Sequence, residues 1–281
     1  MTTESFLATS HFESINSIDI DRLANLLLEK YHFDLHTYAP TYCKRRLIYL
    51  MQKHKVSNVD SLIVRFGNKD FFELFLSDLQ VNGIEFFRDR SMWNNLLKTI
   101  IEHCNATSEI RVWFPDCGNG EDLYSFEILL NQFGFYDKCF VIASNISNDK
   151  IAFIKQGKYE GKSETIDIAN YTKLGFSAPV SKYFKVVDTA IQLDKKLLNN
   201  VEFFNSSAAN PIKKNNFDLI VFRNAMITYS RQYQTEALEN VCDSLRYGGV
   251  LIIGVNEQLL IPNIDNRFTV LNSEDRIYQK K

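Results

Sequence analysis

The chain has 281 residues, which at roughly 150 residues per domain is enough for about two domains. Apolar residues make up 45% and charged residues 23%, and there are only 11 Gly and 5 Pro, so a collagen-like or low-complexity chain is excluded. The 32 basic and 34 acidic side chains leave a formal charge of −2, which is no global electrostatic footprint for nucleic acid.

No apolar run approaches the roughly 18–20 residues of a bilayer span; the longest runs from Val250 to Val255. The opening MTTESFLATSHFES has neither a basic stretch nor a long apolar one, so no secretory signal and no membrane insertion are expected, and a cytoplasmic location is. The five cysteines (Cys43, Cys104, Cys117, Cys139 and Cys242) are odd in number, widely spaced and without a CxxC pair. That pattern reads as reduced thiols rather than a disulfide framework or a zinc site. All five histidines, from His11 to His103, precede residue 104. Chemistry in the rest of the chain therefore has no histidine of its own, which argues against a self-contained Ser-His-Asp site or a histidine metal site there.

In chain order, the apolar spacing predicts a helix through Leu23, Leu26 and Leu27 to Tyr31, starting near Asp19 or Asp21. A second helix carries Tyr42, Leu47, Leu50 and Met51, and a third, entered from Gly67-Asn68-Lys69-Asp70, carries Phe71 to Leu79. No acidic residue falls between Asp34 and Asp60, while Lys44, Arg45, Arg46, Lys53 and Lys55 do. Such a run is either a solvated face or a dock for an acidic partner. From about residue 108 the pattern changes to strands at 110–114, 139–143, 217–222 and 250–254. Helices are expected at 123–133, 149–156 and 232–247, and a closing hairpin near 268–271 and 276–278. Near-continuous apolar strands alternating with helices mean an α/β fold with a parallel sheet covered on both faces. Ligands of such sheets bind outside the carboxyl ends of the strands.

Four segments stand out. In Asp116-Cys117-Gly118-Asn119-Gly120-Glu121-Asp122 a strand runs through a GxG turn into a helix, so that backbone can approach a ligand closely. A lone GxG also reads as an ordinary tight turn. The third glycine of the dinucleotide fingerprint is Leu123, which disfavours a nicotinamide or flavin enzyme, and carboxylates at the helix start would repel a pyrophosphate. They suit a cationic, hydroxyl-rich ligand such as S-adenosylmethionine. The other segments are Asn82-Gly83-Ile84-Glu85-Phe86-Phe87-Arg88, Phe222-Arg223-Asn224 running on to Thr228-Tyr229, and Gly248-Gly249 running on to Glu257.

In this order and spacing the four segments resemble the chemotaxis receptor methyltransferases of the CheR type, whose motifs are NxTxFFR, a G-rich GEEPYS turn, CRNxxIYF and GG…GHSE. The likeness extends from Lys44-Arg45-Arg46 to the carboxyl end. It implies a Rossmann-like, class I S-adenosylmethionine-dependent methyltransferase sheet behind an all-α domain. The expected arrangement is a receptor-docking helical domain over 1–80, a linker and inter-domain helix over 81–107, and a cofactor-binding domain over 108–281 with a small β-subdomain at about 165–203. The implied reaction is methyl transfer to receptor glutamates in chemotaxis adaptation, with S-adenosylhomocysteine as product.

By matched position, Asn82, Asp116, Gly118, Gly120 and Glu121 would contact the cofactor. Asn145 would stand at its ribose, Ser207 and Ala208 beside its adenine, and Asn224 in the CRN motif. Arg88 would lie near the methyl group and the incoming carboxylate, and Thr228 occupies the place of the family's tyrosine beside the transferable methyl. Lys44, Arg45 and Arg46 would meet an acidic helical region of a chemoreceptor-like protein. No metal is implied, and a monomer is expected. The chain departs from the family at Ile84, Asn145, Ser207 and Thr228, where the family has Thr, Asp, Asn and Tyr. These four changes set up an alternative: a catalytically impaired relative acting as a binding or scaffold module. A small-molecule or nucleic-acid methyltransferase is a further, weaker alternative. No glycine occurs from 176 to 247, so the β-subdomain is expected to be short and not to bind a receptor-tail peptide.

Overall fold

The computed structural model describes residues 15–80, 85–106, 109–160, 164–210 and 216–281. They divide into two compact units: the first takes in residues up to Leu79 together with Thr228–Gln232, the second Gln80–Ile227 and Tyr233–Lys281.

The first unit is helical: α1 (Ser17–Tyr31), α2 (Pro40–Lys53), α3 (Val59–Arg65) and α4 (Lys69–Leu79). Helix α1 starts earlier than its apolar pattern suggests because Asn16 and Asp19 form a reciprocal capping box, satisfying two otherwise unpaired amides. Its core is built from Leu23, Leu27, Leu47, Leu50 and Leu62 and from packed rings, Phe66 lying 5.1 Å from Phe75 and 5.3 Å from Phe71. Helix α3 has seven residues, too few for its period to be read; its signal is the N-cap, Asn58 accepting from Ser61 N–H at 2.8 Å. Residues 228–232 join this unit through backbone bonds, Ala39 N–H to Thr228 O at 2.9 Å and Ser230 N–H to Thr37 O at 2.8 Å. The rings of Tyr38 and Tyr229 meet edge to face.

The second unit runs α5 (Arg90–Ala106), β1 (Ile110–Phe114), α6 (Glu121–Phe133), β2 (Cys139–Ser144), α7 (Asn148–Gln156), β3 (Lys158–Glu160) and α8 (Glu164–Thr172). It continues with β4 (Phe184–Val187), β5 (Ala190–Leu193), β6 (Val201–Phe204), β7 (Phe217–Phe222), α9 (Arg231–Ser244), β8 (Leu245–Ile253), α10 (Ile264–Arg267), β9 (Phe268–Asn272) and β10 (Ile277–Lys280). Among the described residues the main sheet has the order β6-β2-β1-β7-β8-β10-β9. Its first five strands are parallel, and β10 pairs antiparallel with both β8 and β9. Strand order reverses between β1 and β7, so the crevice at their carboxyl ends is the topological switch point where α/β sheets bind ligands. Every residue of β7 is buried, as a central parallel strand requires.

Three boundaries differ from the sequence reading. Helix α5, expected as an inter-domain linker, puts Met92, Trp93, Leu96 and Ile100 into the hydrophobic core of the second unit. The helix expected to run to Tyr247 ends at Ser244, and β8 begins at Leu245, because Leu245 pairs with Phe217 although Arg246, Tyr247 and two glycines follow it. The small sheet is β3-β5-β4; it starts at Lys158, and residues 201–203, expected in it, lie in β6 at the edge of the main sheet.

Candidate active site

Five loops of the second unit carry the candidate residues. Between β1 and α6 the chain turns through Asp116, Gly118 and Gly120, all with positive φ (46°, 55° and 85°). A Cβ on Gly120 would lie 2.8 Å from Ile154 Cγ2, so this glycine lets the start of α6 pack on α7 rather than opening a path to a ligand. Gly118 offers its carbonyl to Asn145 Nδ2 at 3.0 Å. Asp116 Oδ2 accepts the Ala208 N–H at 2.9 Å, tying the loop after β6 to the loop after β1. Glu121 opens α6 and is buried. Burial pushes the neighbouring Cys117 thiol up to about 12, so it is neutral and not a nucleophile at physiological pH.

Asn145, at the end of β2, is fully buried and forms a reciprocal amide pair with Gln80. In the loop after β6, Ser207 Oγ is 3.1 Å from Tyr233 Oη and accepts from Asn210 N–H. At the end of β7, Asn224 has φ 61°, and Glu257 braces the loop by accepting the N–H groups of Gly254 at 2.7 Å, Asn224 at 2.9 Å and Ile227 at 3.3 Å. Burial raises the Glu257 carboxyl above its usual range, and these amides oppose that shift. A Cβ at Gly254 would stand 2.7 Å from Glu257 Oε2 and 3.1 Å from Asn224 N. Gly254→Ala is therefore expected to displace the brace, at the lower end of the roughly 1–3 kcal/mol that overpacking costs, and to weaken cofactor binding; thermal melting and titration with S-adenosylhomocysteine read the two effects.

The fifth loop presents Arg88. Phe86 and Phe87 on its amino side are fully buried, and both Phe87 (φ 54°) and Asp89 (φ 59°) are left-handed, an uncommon conformation for such side chains that persists only where surroundings over-determine it. Here they do. Phe86 N–H donates to Asp167 at 2.8 Å, Phe87 N–H to Ser125 Oγ at 2.9 Å, and Trp93 Nε1 to the Arg88 carbonyl at 2.8 Å. Arg223, with a side chain 1% exposed, forks both oxygens of Asp122 and also holds Asp89 at 2.5 Å. Burial raises the Asp122 carboxyl; Arg223, and to a lesser degree Arg88, oppose the rise.

Asn82 and Ile84 lie outside the described residues. The other candidates of the loops fall in the second unit; Thr228, Lys44, Arg45 and Arg46 fall in the first. The segment after β7 is a short helical turn, Met226–Thr228, and Tyr229 packs on Tyr38. Tyr124 donates its hydroxyl to Ile154 O. Sequence reasoning did not single out Gln80 or Asp89; Asp122, Arg223 and Glu257 stood in its motif segments, but their bonds to one another and to backbone amides were not foreseen.

Residues 82–277 match the family described as CheR methyltransferase, SAM-binding domain, some two-thirds of the chain. The chain belongs to the CheR methyltransferase family. It is 28% identical to a chemotaxis protein methyltransferase of Listeria innocua over 82% of this chain and 86% of that one, and 23% identical to one of Borreliella burgdorferi over 88% and 90%. It is 26% identical to the Pseudomonas putida protein Cher3 over 95% of this chain and 98% of that one. It is thus an S-adenosylmethionine-dependent methyltransferase of the chemotaxis type.

The residues present fit that cofactor. At the carboxyl edge of the sheet, Asn224 Nδ2 and Ser206 Oγ are buried without a hydrogen-bond partner among the described residues, a costly state that a ligand bearing carboxylate, hydroxyl and ring-nitrogen groups relieves. Carboxylates rather than cations open α6, which suits a sulfonium and not a phosphate. Among the described residues no group of acidic, His and Cys side chains could hold a metal, and no helix is long and apolar enough to cross a membrane.

Proposed function

We propose that this enzyme methylates glutamate carboxylates of a chemoreceptor-type helical protein, in adaptation of a chemotaxis response. One observation carries the reading: among the described residues, four carboxylates around the site are already engaged by the chain itself. Glu257 is spent on backbone amides, Asp122 and Asp89 on Arg223, and Asp116 on Ala208. A glutamate substrate needs no base, since its carboxyl (reference pKa about 4.3) is already an anion at pH 7. The cofactor supplies a methyl group activated by its sulfonium. The protein supplies position and field: Arg88, held in its strained turn, attracts the incoming carboxylate. Gly118, Glu121, Asn145, Ala208 and Asn224 hold the cofactor, with Asn82, Asp116, Gly120 and Ser207 shaping its surroundings.

Docking is proposed on α2. Lys44 and Arg45 are exposed, and the half-buried Arg46 lies with its guanidinium 4.7 Å from the Tyr49 ring centre, its Nε and Nη2 turned inward, so Lys44 and Arg45 present most of the charge. The basic run is smaller than its sequence suggested. Lys53 bonds both oxygens of Asp78 at 2.8 Å, and Lys55 lies past the end of the helix. Reversing Lys44, Arg45 and Arg46 to glutamate is expected to lower methylation at low ionic strength by roughly tenfold or more, with the deficit shrinking in salt as screening sets in; an unchanged rate in low salt removes the docking proposal. The reaction itself is tested by incubating the enzyme with methyl-labelled S-adenosylmethionine and the signalling domain of a chemoreceptor from the same organism. Carboxyl methyl esters release their label as methanol in alkali; alkali-stable label overturns the glutamate reading.

A further inference from the structure

The amide of Asn145 has four hydrogen-bonding positions, two lone pairs on Oδ1 and two hydrogens on Nδ2, and all four are used within the chain. Oδ1 accepts from Ser147 N–H at 2.9 Å and from Gln80 Nε2 at 2.6 Å. Nδ2 donates to the Gly118 carbonyl at 3.0 Å and to Gln80 Oε1 at 2.7 Å. The two backbone partners fix which way the amide points, because a flipped Asn145 would set Nδ2 against the Ser147 N–H. The two bonds to Gln80 are of another kind. Gln80, the first residue of the second unit, is only half-buried, and its carboxamide presents a donor and an acceptor side by side. A vicinal diol presents the same pair.

We propose that Gln80 occupies, on Asn145, the seat of the cofactor's ribose diol, and that cofactor binding exchanges the carboxamide for the diol. This rests on the proposed role of Asn145 as the ribose residue. An asparagine saturated by its own chain cannot take two further hydroxyls, so Gln80 must leave for them to bond. Gln80 is then a built-in competitor that sets cofactor affinity and helps retain the cofactor-free state, while Ser147 and Gly118 keep Asn145 in place throughout.

The exchange is tested by calorimetric titration of wild type, Gln80→Ala and Gln80→Glu with S-adenosylhomocysteine and with its analogue lacking both ribose hydroxyls. Two net bonds released from competition correspond to roughly tenfold tighter binding of S-adenosylhomocysteine by Gln80→Ala, with no gain for the analogue. Gln80→Glu still accepts from Nδ2 but no longer donates to Oδ1, so it gains less; it also carries the comparison if the alanine variant folds poorly. Equal or weaker binding by both variants, with the analogue still weaker than the parent in wild type, overturns the exchange and leaves the ribose reading standing. If Gln80→Ala, with no competitor on Asn145, binds the analogue as well as the parent compound, the ribose reading itself has failed, and the exchange with it.

Discussion

Replacing Arg223 with alanine is expected to lower the melting temperature by on the order of 10 °C and to disorder the turn that presents Arg88. Arg223 stands between two carboxylates in a site from which water is nearly excluded: its own side chain is 1% exposed, that of Asp122 14% and that of Asp89 23%. Removing one partner of a buried ion pair costs about 3–5 kcal/mol, because the other charges stay behind uncompensated, and each kcal/mol is worth roughly 2–4 °C in a domain of this size. The deficit depends on pH with a definite sign. Burial and Asp89 both raise the Asp122 carboxyl while Arg223 opposes them; without the arginine, Asp122 takes up a proton in the folded state more readily. A group whose folded pKa is raised contributes stability that is lost as pH rises, so the variant should be closest to wild type in mild acid and furthest from it above neutrality. Arg223→Lys should recover only part of the loss, since one ammonium replaces two separate nitrogens, Nη1 on Asp122 and Nη2 on Asp89. Melting curves across pH test all three statements; a deficit independent of pH would mean that packing, not charge, is what Arg223 provides.

Glu127→Gln is expected to stabilise the protein, and increasingly so as pH rises. Glu127 sits on α6 with no exposed surface, and burial pushes its carboxyl well above the usual carboxylate range. Asn200 is the side chain that opposes this rise by hydrogen bonding, although its Nδ2 also serves the Cys139 carbonyl, and among the described residues neither Glu127 oxygen nor Asn200 Oδ1 has a well-formed hydrogen bond. A protonated Glu127 supplies the donor that Asn200 Oδ1 lacks. In the unfolded chain the same carboxyl ionises near pH 4.3. Folding therefore binds a proton, and the stability Glu127 contributes is full below that pH and falls as pH climbs toward its folded pKa. A glutamine donates to Asn200 from its amide at any pH. The gain at pH 8 should be about 1–3 kcal/mol, the desolvation penalty of an unsatisfied buried group, and should vanish near pH 4. A constant difference between the two proteins from pH 5 to pH 8 would show that Glu127 is ionised in the folded state.

The fold was legible wherever burial imposes a pattern. The strands at 110–114, 139–144 and 217–222 are apolar almost throughout because both faces of the sheet are covered, and helices α2 and α4 show their buried stripes directly. Legibility failed where an element exists only through its partner. Strand β8 begins with Leu245-Arg246-Tyr247-Gly248-Gly249, a run with no strand signature, and forms because β7 offers Phe217 a neighbour. Strand β3 is three residues with only Tyr159 buried, recruited by β5. Motif positions point to Gly118, Asn224 and Arg88 as candidates. They point to Gly120 as well, but its use is packing against Ile154, which no motif reveals.

By itself the sequence determined the alternation of apolar strands and helices, hence a parallel sheet with its crevice at the carboxyl ends, and through four ordered motifs the family and the cofactor. Only the tertiary structure decided which polar side chains are already spoken for. Gln80 meets Asn145 across 65 residues of chain, and Arg223 meets Asp122 across 101. The physical reason is that a hydrogen-bonding group has a fixed, small capacity. Whether that capacity is left for a ligand or consumed by the chain depends on which distant residue folding brings within three ångströms, and no local pattern encodes that distance.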